Sequence, residues 1–176
     1  MLIVGIDPGI SGAIAAVTPS GSLQWVHDMP VRDAGKKTRK ANEIDGVSLA
    51  RLLRVHVADI GEVWIEEVSA MPGQGVSSMF SLGDSRGCIR GVCEALGLST
   101  QRVHPTTWKR SCGLLGADKG ASRAMAIRLY PGCDVLARKK DHGRAEAILL
   151  ARYGAQQSRL ADSFLGTERP ALELVA

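Results

Sequence analysis

The chain has 176 residues, 45% of them hydrophobic, which suits one compact domain with a sizeable core and leaves no room for two large lobes. Its net charge of +4 and pI near 9.0 give a small basic excess that admits a polyanionic partner without requiring one. Aromatic residues are only 4%, which argues against a binder that works mainly by stacking bases.

In chain order, residues 2–6 are an apolar, β-branched run that ends at Asp7-Pro8-Gly9, a buried strand followed by a sharp turn. Residues 12–18 and 22–28 read as two further strands around the turn Pro19-Ser20-Gly21, and the three form an antiparallel meander. Residues 30–44 are polar and read as an exposed basic loop. A helix is predicted from Asp45, with Leu49, Leu52, Leu53 and His56 on one face. Val63–Glu66 is the next strand. Residues 69–77 are small and flexible, and a helix follows over 78–97. Gly83, Gly87 and Gly91 make a stripe along it, which points to close approach by the sheet or by a second subunit. A short strand is predicted over 99–104, with Pro105 at a helix start. A helix over 119–130 and a last one from Asp141 to about 153 complete the reading. One domain then spans 1–155, with a weakly patterned tail over 156–176. The order implies an α/β domain with a mixed sheet flanked by helices.

Cys88, Cys93, Cys112 and Cys133 make no C-x-x-C pair and have no histidine at zinc-finger spacing. Free thiols in a reduced cytoplasm are the expectation. The first residues lack a basic region before their apolar run, so they do not read as a signal peptide. No apolar stretch is long enough to cross a bilayer.

The informative residues are acids in places that favour burial. Asp7 ends an apolar strand, and Glu66 lies in Val-Trp-Ile-Glu-Glu-Val. A buried carboxylate is costly unless it is paired or bound to a cation. Two of them at neighbouring strand ends repel each other unless a cation lies between. Strand alternation sends Glu66 and Glu67 to opposite faces, so only one can join Asp7. The third element is Lys139-Lys140-Asp141-His142-Gly143-Arg144-Ala145-Glu146. Asp141 can be a helix N-cap. His142 and Glu146 are four residues apart and share a helix face. Carboxylates from three elements suit a hard cation such as Mg²⁺, and such ions can drive phosphodiester hydrolysis.

Ile-Val-Gly-Ile-Asp-Pro-Gly-Ile-Ser-Gly-Ala-Ile, Trp-Ile-Glu-Glu-Val and Lys-Lys-Asp-His-Gly-Arg-Ala-Glu-Ala-Ile-Leu-Leu-Ala together resemble the RuvC-type Holliday junction resolvases, in their phage and organellar branch. The likeness covers about residues 1–153. It implies an RNase H-like fold with a five-stranded mixed sheet, a homodimer, and two Mg²⁺ or Mn²⁺ ions per active site. It also implies paired symmetric nicks in a four-way DNA junction, leaving 5′-phosphate and 3′-hydroxyl ends, and a setting in a bacterial or phage-infected cell. By motif the metal ligands fall on Asp7, Glu66 and Glu146, with either Asp141 or His142 as the fourth. Bacterial members place their last two ligands three residues apart, and here that position is Gly143, which has no side-chain ligand. Asp141 is slightly favoured because a carboxylate suits Mg²⁺.

The resemblance also places the loop after Glu66 in the junction. Gln74 can bond a base edge, and Met71 or Phe80 can wedge between bases, with Ser77 and Ser78 beside them. Phe80 can equally be a core residue of the following helix. Thr106, Thr107, Lys109 and Arg110 make a phosphate-contact set, with Trp108 packed rather than stacking. Lys119 resembles a family lysine near the scissile phosphate. Lys36, Lys37, Arg39, Lys139 and Lys140 can reach more distant phosphates. An RNase H-like nuclease acting on RNA and a catalytically inactive junction binder are the competing readings. An actin-like ATPase, suggested by the Asp-x-Gly opening, needs a second lobe the chain cannot supply.

Overall fold

The computed structural model describes residues 1–35, 42–67, 69, 73, 75–118 and 120–165. Three strands open the chain, β1 Leu2–Asp7, β2 Ala13–Val17 and β3 Leu23–Asp28. They form the expected antiparallel meander, with Gly5 opposite Ala15 and Ala15 opposite Val26. Where the sequence suggested only a polar loop, β4 Val31–Asp33 and β5 Asn42–Ile44 pair antiparallel as a small separate ribbon. The short strands lack the long alternating pattern by which strands are recognised, so polarity outweighed it. Helix α1, Gly46–Val55, starts where predicted. Asp45 caps it by accepting from the N–H groups of Val47 and Ser48.

β6, Ile60–Glu66, lies parallel to β1, with Gly5 opposite Trp64 and Ile6 opposite Ile65. Helix α2, Val76–Ala95, leads to β7, Thr100–Val103, at the sheet edge. The five-stranded order is β3-β2-β1-β6-β7, a mixed sheet. Helix α3, Pro105–Ser111, begins with proline at its first turn. Helices α4, Ala121–Leu129, and α5, His142–Leu165, complete the fold. The last helix runs well beyond the expected end near 153, across the boundary expected at 155. Its buried stripe stops at Ala155, while exposed Leu160 and Phe164 continue the helix without core contacts, so the pattern fades before the structure does.

Residue parity along β1 and β6 sorts the two layers. Val4, Ile6, Val63 and Ile65 enter the core that packs with Leu49 and Leu53 of α1 and Ile89 of α2. The opposite face packs on α3, α4 and α5 through Ala13, Ala15, Trp108, Ala126, Ile148 and Leu149. Gly5 lies on this second face. A Cβ there would fall inside contact with Ala147 O and Ala151 N and 2.9 Å from Ala151 Cα, so only glycine lets α5 approach β1 this closely. The glycine stripe on α2 behaves differently. Gly83, Gly87 and Gly91 are exposed, and a Cβ at any of them would have open space around it. Packing of the stripe on the chain's own sheet is therefore not its reason.

Candidate functional site

Asp7 and Glu66 come one residue beyond the registered pair Ile6 and Ile65, at adjacent ends of two parallel strands. Two-residue alternation from Gly5 and Trp64 turns both toward α5. Glu146, on the first turns of α5, meets them there. The negative charges of Glu66 and Glu146 both act on Asp7, and Glu146 acts on Glu66. Burial first, and then these neighbouring carboxylates, push the Asp7 carboxyl up to about 7. Burial likewise raises Glu66, partly offset by a hydrogen bond from Trp108. Glu67 points to the other layer, where its Oε1 accepts from Arg86 at 3.1 Å and Arg102 at 3.2 Å, as alternation requires.

The start of α5 is seated on the β1–β2 turn. A Cβ on Gly143 would meet Ser11 O, would lie 3.1 Å from Gly12 Cα and would lie 3.2 Å from Asp7 Oδ2. The helix backbone thus lies directly over Asp7. Asp141 has a different set of neighbours. Its Oδ2 accepts from the Arg138 backbone N–H at 2.7 Å, and its Oδ1 accepts from Arg138 Nη2 at 2.7 Å and Nε at 2.9 Å. These bonds run backwards to Arg138, not forwards to the N–H groups that a helix cap would take. Arg138 thereby holds the Asp141 carboxyl below its ordinary range. Arg144 lies 4.0 Å from the same carboxylate and makes a two-pronged bond to Asp28, at 2.5 and 2.6 Å. The sequence preference for Asp141 as fourth ligand therefore meets a carboxylate already engaged by Arg138, while His142 is exposed.

Lys109, a phosphate contact by its sequence, is brought by the structure against Glu146. Its Nζ lies 3.0 Å from Glu146 Oε1, and its charge acts on both Asp7 and Glu66. The same Glu146 oxygen accepts from the Ser122 hydroxyl at 3.1 Å. Trp108, fully buried, donates its Nε1–H to Glu66 Oε1 at 2.9 Å. No spacing rule singled out Ser122 or the Trp108 bond. Both depend on how α3 and α4 pack beside α5.

Ser77, Ser78, Thr106, Thr107, Arg110, Lys139 and Lys140 are exposed. Phe80 is 79% exposed, which removes the reading of it as a core residue. Lys36, Lys37, Arg39, Met71, Gln74 and Lys119, and the tail residues from 166, lie outside the described residues.

The donor set is all oxygen and negatively charged, which matches a hard divalent cation. Among the described residues, no three His, Cys, Asp or Glu side chains stand close enough to hold an ion as they are placed. The lysine ammonium supplies positive charge to the acids in this arrangement. An Asp raised to about 7 takes up a proton more readily in the folded chain than in the unfolded one, where its value is ~3.9. In chelator, its contribution to stability should therefore fall as pH rises from about 4 to about 7. Asp28, Asp45 and Asp141 are held low by their partners and act with the opposite sign, and their effect is complete lower in pH. Thermal melts in EDTA between pH 5 and 7.5 should show wild type losing more stability than Asp7→Asn, and equal slopes would remove this assignment.

Comparison with known proteins gives the fold and a sequence likeness. No protein-family model matches the chain. The chain is 30% identical over 162 residues to the Holliday junction resolvase MOC1, chloroplastic, of Chlamydomonas reinhardtii; the match covers 77% of this chain and 18% of that protein's length. Thermus thermophilus RuvC superposes with a TM-score of 0.55 at 16% identity, over 92% of this chain and 97% of that one. The same protein in complex with a Holliday junction substrate superposes with a TM-score of 0.61, also at 16% identity, over 92% and 96% of the two chains. The five-stranded mixed sheet is thus an RNase H-like sheet of the RuvC kind. The chain thus has the fold of RuvC, and over 77% of its length its sequence is similar to that of an organellar Holliday junction resolvase.

Proposed function

We propose that the chain is a divalent-metal-dependent endonuclease that resolves four-way DNA junctions by paired symmetric nicks. The observation that carries this reading is the meeting of Asp7, Glu66 and Glu146 on one face of an RNase H-like sheet, with Lys109 among them. The chloroplast resolvase and the junction-bound RuvC to which the chain is similar favour the same reading. Mg²⁺ or Mn²⁺, two per site as the family resemblance implies, would be held by Asp7, Glu66 and Glu146 with His142 as the fourth ligand. When bound, such ions supply activation of the attacking water and stabilisation of the leaving oxygen.

The chain's own residues supply the rest. Lys109 brings a positive charge to the place where the scissile phosphate must sit, and it can stabilise charge that builds up there. Thr106, Thr107, Arg110, Lys139 and Lys140 fix the DNA backbone through its phosphates. Phe80, exposed on the first turns of α2, is placed to stack on or part bases at the crossover. A second copy of the chain would bring a second site to the opposite strand of a two-fold junction. The uncovered glycine face of α2 is the surface we assign to that contact.

His142 is preferred to Asp141 because it shares its helix face with Glu146, whereas Asp141 is engaged by Arg138. His142→Ala should weaken Mn²⁺ binding by about 10-fold or more, and Asp141→Asn should leave it within about twofold. Calorimetric titration of both variants decides between them, and the reverse ranking would return the role to Asp141. The function itself is tested by offering purified protein with Mg²⁺ a four-way junction, a linear duplex and a structured RNA. Symmetric nicks in the junction alone support the proposal. Preferential cutting of RNA replaces it with a ribonuclease, and binding without cutting replaces it with an inactive junction binder.

A further inference from the structure

Two side chains that are not acids hold the carboxylates of the cluster. Trp108 on α3 is fully buried, and its indole is used on two sides. The ring edge donates Nε1–H to Glu66 Oε1 at 2.9 Å, and Lys109 Nζ lies over the ring face, 5.1 Å from its centroid. Lys109 then reaches Glu146 Oε1 at 3.0 Å. From the first turn of α4, Ser122 is 4% exposed and donates to that same Glu146 oxygen at 3.1 Å.

A buried indole needs one acceptor for its N–H. Here the acceptor is itself a buried acid whose charge is costly. A glutamate has several rotatable bonds, and an unrestrained one must give up that freedom each time it takes a ligand. A donor bound to one carboxylate oxygen removes the freedom in advance and fixes the direction of the other oxygen. The two donors come from separate helices, so each glutamate is oriented by an element other than its own.

We propose that Trp108 and Ser122 are positioning residues of the divalent-ion site, Trp108 acting through Glu66 and Ser122 through Glu146. The inference rests on the endonuclease reading above. Trp64 provides an internal control, because its Nε1 donates to Glu62 Oε2 at 3.0 Å, the same bond at a carboxylate outside the cluster.

The test uses the full chain without DNA and Mn²⁺ alone as the probe, with binding read from the electron paramagnetic resonance of free Mn²⁺. Trp108→Phe keeps the ring and removes the donor. It and Ser122→Ala should each bind Mn²⁺ about 10- to 100-fold more weakly. Trp64→Phe should bind like wild type. In junction cleavage, saturating Mn²⁺ should return Trp108→Phe towards the wild-type rate, which a mere loss of folded protein would not allow. Wild-type Mn²⁺ affinity in Trp108→Phe, alongside clear loss in Glu66→Gln, overturns this proposal and leaves the site standing. Unchanged affinity in Glu66→Gln as well overturns both.

Discussion

Asp7→Asn is expected to lower junction cleavage by on the order of 1000-fold or more while leaving junction binding within a few-fold. Asp7 is the residue on which the cluster's charges converge. Glu66, Glu146 and Lys109 all act on it, and the α5 backbone lies beside its Oδ2. Asparagine keeps the shape and can still accept from the Gly9 N–H, which Asp7 Oδ1 does at 3.3 Å. It loses the negative charge that would hold a divalent cation. The variant should also melt no lower than wild type in chelator, because it removes a carboxylate that burial and its neighbours disfavour. Single-turnover cleavage, gel-shift binding and thermal melting on one preparation give all three readings. Cleavage near the wild-type rate would mean that the chemistry is elsewhere.

Gly5→Ala should carry the largest cost to stability. The added methyl would press on Ala147 O, Ala151 N and Ala151 Cα. These are backbone atoms of the helix that carries Glu146, so no rotamer change relieves them. Overpacking usually costs about 1–3 kcal/mol where side chains can shift, and the rigid contact here puts the loss at or above the top of that range. For a chain of this size the melting midpoint should fall by roughly 10 °C. Any surviving folded protein should cut poorly, because α5 must lift away from β1 and take Glu146 from Asp7. A midpoint within about 2 °C of wild type would show that α5 does not sit this close.

Much of the layout was legible because it follows from short-range rules. The strand ending at Asp7-Pro8-Gly9 carries its own turn, Asp45 caps α1, and Pro105 opens α3. Alternation separated Glu66 from Glu67 without any knowledge of the sheet. Other features needed three dimensions. The engagement of Asp141 by Arg138 joins residues three apart, but Arg138 looks like an ordinary surface group in sequence and Asp141 like a cap or a ligand. Ser122 and Glu146 are distant in the chain, and only α4 against α5 unites them. Lys109 had the charge expected of a phosphate contact, and its true neighbours became apparent only when α3 was laid beside the sheet. The glycine stripe is plain in the sequence but its setting is not, because a pattern of small residues gives no sign of which surface they face.

The bond between Lys109 and Glu146 also bears on the order of events in the life of the protein. An acidic pocket with no cation of its own would have to recruit one from solution before the chain could settle around it, and folding would then track the supply of that ion. A tethered ammonium serves as a resident counter-ion. On the endonuclease reading, the domain would then be able to fold in a medium poor in divalent cations. On the same reading, loading would be an exchange at a finished site, in which Lys109 would yield its place on Glu146. Assembly and arming would thus be separate steps, with the Lys109 ammonium standing between them.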